Sequence, residues 1–198
     1  VQMPAMDNDE LRRGKPTNHI LYGEANAILA GDGLLTLAFE LITDQDNGRL
    51  KSGKRLKIAN IISIVSGSFG MVGGQALDIA NENKKFPFEM LQTIHHKKTG
   101  ALITAAVHAG AIGANADKME TEALLKYGDQ IGLAFQIIDD LLNVTATTEQ
   151  LGKSAGSDEA NGKATYPAYF GIEDTRKKAQ QVTNNAKDAL ISHLKCLA

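Results

Sequence analysis

Apolar side chains recur along this chain at intervals of three and four residues, and strict alternation is absent. That period puts them on one side of a helix rather than on one face of a strand. Residues 19–43, HILYGEANAILAGDGLLTLAFELIT, carry Ile28, Leu29, Leu35 and Phe39 in this spacing and predict a helix with a buried face. Gly31 and Gly33 within it predict close packing or a bend. A polar turn, DQDNGRLKSG, follows. Residues 54–82 predict the next helix from Ile58, Ile61, Ile62, Val65 and Phe69, and its small-residue stretch GMVGGQALD would let a neighbour approach closely. Pro87 suits the first turn of a third long helix, running to AIG at 111–113. Asp117 is the expected N-cap of a helix extending through FQIIDDLLNV. A long loop spans 148–163, and an amphipathic helix over about 172–195 closes the chain. Residues 1–18 predict a helix end and then a loop, punctuated by Gly14, Pro16 and Asn18.

Long helices with short connections predict an all-α helix bundle, and no composition shift divides residues 1–198 into more than one domain. Composition changes this picture little. Of 198 residues, 43% are apolar, enough for a core, and 22% are charged. A net charge of −2 offers no global field for nucleic acid or an anionic membrane. The single cysteine, Cys196, excludes an internal disulfide framework and a cysteine-based metal cluster, which fits a reducing compartment. No signal peptide is evident and no apolar run is expected to span a bilayer, so the expected setting is cytoplasmic.

Four stretches could carry chemistry. In FQIIDDLLN, Gln136, Asp139 or Asp140, and Asn143 share a helical face beside Phe135, Ile138 and Leu142. Adjacent carboxylates in an apolar run are costly unless paired or bound to a cation, and oxygen-only ligands favour magnesium over zinc. The plainer reading is a solvated stripe. The segment MDNDELRRGKPTNH stacks Asp7, Asp9 and Glu10 against Arg12, Arg13 and Lys15. Carboxylates for a metal next to arginine forks for phosphate are what a metal–diphosphate site needs, although a self-neutralising loop has the same composition. In HHKKTG, a glycine inside a predicted helix costs roughly 1 kcal/mol against alanine and predicts a kink or a ligand approach; Lys98 and Thr99 precede it. His95 and His96 read as ordinary helix residues. In LGKSAGSDEANGKATYP, Lys153 and Lys163 each follow a glycine, but the pattern is not that of a P-loop.

These stretches, in this order with GEANAILAGDGLLTLAFELI and GMVGGQALD, closely resemble the trans-isoprenyl diphosphate synthases, specifically the bacterial farnesyl and geranylgeranyl diphosphate synthases. The likeness runs over nearly the whole chain. It implies the all-α prenyl synthase fold, with a magnesium cofactor. It also implies a reaction in which isopentenyl diphosphate attacks an ionised allylic diphosphate, dimethylallyl or geranyl, with farnesyl diphosphate the expected product. By motif match, Asp7, Asp139 and Asp140 would bind magnesium. Arg12 would face the allylic diphosphate and Arg13 isopentenyl diphosphate. Lys98 and Lys153 would grip the allylic diphosphate, with Lys163 in the matching lysine loop. Thr99 and Gln136 would assist ionisation. A homodimer is implied as well.

The departures are specific. Val1 and Gln2 stand where the first family motif has two aspartates, and Asn143 where the second ends in aspartate. The family's early helices and last helix have no counterpart in these 198 residues. These departures keep open a second reading, a non-catalytic homologue that modulates a partner subunit. LRRGKPTNH and KTG argue against a terpene cyclase, because they match the two-substrate elongases.

Overall fold

A computed structural model describes residues 2–44, 50–147, 150 and 163–196. Among them the fold is all-α. The described residues include eight α-helices: α1 (Asn18–Tyr22), α2 (Glu24–Thr43), α3 (Ser52–Ser66), α4 (Met71–Ala80), α5 (Phe88–His95), α6 (Ala101–Ala114), α7 (Lys118–Thr145) and α8 (Tyr166–Cys196). A π-helical turn, His96–Gly100, links α5 to α6. The only strands among the described residues are β1 (Leu11–Arg12) and β2 (Lys15–Pro16), an antiparallel hairpin pairing Leu11 with Pro16 and Arg12 with Lys15. The sequence predicts a loop here. Strands of two residues leave no alternation to read, and the turn rests on Arg13 and Gly14, both at positive φ, as a two-residue hairpin of this hand requires.

The helix predicted over 19–43 is broken at Gly23, whose φ of 81° ends α1 and starts α2. The one predicted over 54–82 is broken between Ser66 and Met71. The predicted N-cap is present: Glu120 N–H donates to Asp117 Oδ1 at 2.8 Å, while Asp117 N–H donates to Glu120 Oε2 at 2.7 Å. This reciprocal box satisfies two orphan donors at the start of α7. The last helix starts earlier than predicted, at Tyr166, and bends at Gly171.

The core lies between α5, α7 and α8, where Leu91, Ile137, Tyr166 and Ala179 are buried. Phe88 stands edge-on to Tyr166, Tyr169 and Phe170 at centroid distances of 5.1, 5.4 and 4.8 Å, the geometry that aromatic quadrupoles favour.

The predicted buried face of α2 is not buried. Ile28, Leu29 and Leu35 are more than half exposed, no α2 residue is buried, and Phe69 beyond α3 is 80% exposed. Among the described residues helix α2 packs mainly on α1 and α3, and most of its apolar surface is uncovered. By length and composition, Glu24–Thr43 and Ser52–Ala80 are each apolar enough to cross a membrane. The expectation of no such stretch therefore fails on that measure. α2 is rich in apolar residues around one side bearing Asp32, Thr36 and Glu40, and such a helix passes the same test as a membrane span when it is left uncovered.

Candidate active site

The π turn builds one wall of the site. A π turn adds a residue to the helical repeat and is common where a helix carries function. Here it carries Lys98 and Thr99, and the glycine at which the sequence predicts a kink or a ligand approach, Gly100, closes this π turn with helical φ and ψ. Gly132 lets α7 come close to this turn: a Cβ on it would lie 2.8 Å from Gly100 Cα. From the other side α4 presses on the same turn, because a Cβ on Gly74 would lie 2.3 Å from the Lys98 backbone nitrogen. The small-residue stretch thus permits the close approach its composition predicts.

These approaches enclose a polar cleft of about 50 Å³, lined by residues of α4 (Asp78), α5 (His95), the π turn (Lys98), α7 (Gln136, Asp139 and Asp140) and the segment before α8 (Lys163). Lys98 Nζ donates to Asp78 Oδ2 at 2.7 Å. Lys163 Nζ donates to Asp7 Oδ1 at 2.6 Å and lies 3.7 Å from Asp78 Oδ2. Asp7, from the first turns of the chain, is thereby drawn into the cluster. All four side chains are less than a quarter exposed, so water screens these pairs weakly.

Asp139 is half-buried at the cleft, whereas Asp140 is buried. The backbone N–H of Tyr166 donates to Asp140 Oδ2 at 2.8 Å, and His95 Nε2 lies 3.7 Å from Oδ1. His95 stacks on the Tyr166 ring. Burial lowers the His95 pKa to about 4, with Asp78 and Asp139 opposing and Lys98 reinforcing the shift, so the imidazole is neutral near pH 7. Burial, and then Asp140, raise the Tyr166 hydroxyl to about 12. A larger recess of about 900 Å³ adjoins the cleft, sharing Lys163 and Thr165 but walled mainly by the first turns of α8. The larger recess carries Lys84, Glu173 and Asp174, whereas Asp78, Lys98, Asp139 and Asp140 line the small cleft.

Of the residues singled out from sequence, the structure brings Lys98, Gln136, Asp139, Asp140, Lys163 and Asp7 together. Thr99 shares the π turn and is half-buried. Arg12 and Arg13 stand exposed on the hairpin, away from the cleft lining. Lys153 and Val1 lie outside the described residues. Asp78 and His95 were not singled out. Asp78 stands in the quoted GMVGGQALD, but only the approach at Gly74 shows what it faces.

Lysines and aspartates from five chain segments thus meet around one cleft in an all-helical fold. The chain belongs to the polyprenyl synthetase family, whose model matches residues 5–195. It is 48% identical over 189 residues to the farnesyl diphosphate synthase of Escherichia coli (strain K12), covering 95% of this chain and 63% of that protein. It is also 48% identical over 190 residues to the geranylgeranyl diphosphate synthase of Cyanophora paradoxa, covering 96% and 63%. The chain therefore spans about 63% of the length of these relatives. Among solved structures, a Helicobacter pylori geranyltransferase complexed with magnesium and isoprenyl diphosphate matches 99% of this chain and 68% of its own, with a TM-score of 0.82 at 32% identity.

Proposed function

We propose that this chain is the catalytic part of a short-chain trans-prenyltransferase. It joins an allylic diphosphate, dimethylallyl or geranyl, to isopentenyl diphosphate, releases diphosphate and yields farnesyl diphosphate. The observation that carries this reading is the convergence of Lys98 and Lys163 with Asp7, Asp78 and Asp139 at one cleft. Ionisation of an allylic diphosphate builds negative charge on the leaving group, and preset cations there lower the barrier. Lys98 and Lys163 take that role in the cleft, joined by Arg12 and Lys153, with Arg13 on isopentenyl diphosphate. Gln136 and Thr99 contact the ionising end.

The donor set fits magnesium. Among the described residues no three His, Cys, Asp or Glu side chains form a metal cage. Magnesium is typically held by one or two carboxylates together with substrate phosphates and water. Asp7 and Asp139, with Asp140 behind, would hold it, and when bound it neutralises charge on the departing diphosphate. The Helicobacter pylori relative's complex with magnesium and isoprenyl diphosphate supports this assignment. A cytoplasmic homodimer completes the reading.

The test is to incubate the intact protein with magnesium, isopentenyl diphosphate and each short allylic diphosphate. A longer prenyl diphosphate and released diphosphate are expected; no product with any allylic primer overturns the proposal. Gln2 and Asn143, in place of family aspartates, favour one second reading, a non-catalytic subunit. Weak magnesium binding together with stimulation of an active partner would establish it.

A further inference from the structure

We propose that Asp78 is a positioning residue that holds the Lys98 and Lys163 ammonium groups side by side to receive the leaving diphosphate. The inference rests on the prenyltransferase reading and adds a residue to it. Two ammonium groups repel each other, and on long flexible stems they separate unless something holds them. Asp78 Oδ2 is shared by both, at 2.7 Å from Lys98 Nζ and 3.7 Å from Lys163 Nζ.

The backbone explains why the carboxylate can be there. Gly74 lies directly against the Lys98 backbone, at a distance no side chain would permit. Asp78 follows four residues later, one helical turn along the same face of α4. The glycine thus sets the distance between α4 and the π turn, and the aspartate one turn on meets the lysine side chain leaving that turn. Lys163 arrives from a distant segment and is held a second time by Asp7. The side chains of Asp78 and Lys163 are 15% and 9% exposed, so the arrangement is set within the protein rather than by solvent.

An anion beside an anion-binding site has two opposite possible effects, which makes the idea sharp. If Asp78 merely repelled substrate, neutralising it would tighten diphosphate binding. If it positions the lysines, neutralising it weakens binding although a repulsive charge has gone. The experiment titrates the intact protein with inorganic diphosphate and magnesium, comparing wild type, D78N, K98M and the double variant. D78N is expected to weaken binding about tenfold. The double variant is expected to lose less than the product of the two single losses, since each removes the same pair. In turnover, the KM for the allylic diphosphate should rise while that for isopentenyl diphosphate holds. Unchanged or tighter diphosphate binding by D78N, or losses that simply multiply, overturns the proposal.

Should D78N not fold, the wild-type protein decides. Without ligand, Lys98 should be acylated by an amine reagent far more slowly than exposed Lys118, and equal rates overturn the inference. A wild-type protein that transfers no prenyl group refutes the functional reading, while the diphosphate titration still decides Asp78.

Discussion

Asp139 and Asp140 are neighbours in sequence with opposite surroundings. Asp139 is half-buried at the cleft, while Asp140 is buried and accepts the Tyr166 N–H. Asp139→Ala is therefore expected to lower turnover at least tenfold more than Asn143→Ala; equal losses in steady-state kinetics would contradict the ranking. His95 makes a pH prediction. Its folded pKa near 4 lies below the ordinary 6.5, so the unfolded state binds the proton first. Its stabilising effect is complete above about pH 6.5 and is lost as pH falls towards 4, on the order of 3 kcal/mol. The groups around it are Asp78, Lys98, Asp139 and Asp140. Thermal melts without divalent metal should show this fall, and His95→Gln should flatten it. The sequence shows Gln136, Asp139 or Asp140, and Asn143 as one stripe, because helical spacing alone places them. It hides His95, whose burial depends on the far-off Tyr166 ring.

The elements meet where side chains are missing. The Gly74 contact with the π turn and the Gly132 contact with Gly100 are both too close for a Cβ. Backbone on both sides leaves no flexible group to move aside. Gly74→Ala is expected to destabilise the fold by about 1–3 kcal/mol and to weaken magnesium–diphosphate binding, read by denaturant titration and calorimetry. The cap at Asp117 is legible in the sequence because it is local. The hairpin is not, since its strands are too short to alternate. The error on α2 has another cause: helical period reports which side is apolar, not whether anything covers it.

At the scale of the whole molecule, the all-α architecture is legible from the long helical periods and short connections. The uncovered apolar face of α2 is not, because coverage depends on contacts beyond the element. The cluster is also a linkage device. Magnesium with inorganic diphosphate should stabilise the protein by about 2.7 kcal/mol at a hundredfold excess over its Kd. A melting temperature unmoved by the pair would count against a formed diphosphate site. The bond from Lys163 to Asp7 joins groups 156 positions apart. A ribosome must therefore release every residue from Asp7 to Lys163 before this bond can form. Contacts this distant form late, after the loop between them has been ordered. In the nascent protein Asp7 waits for Lys163 until all the residues between them have been made.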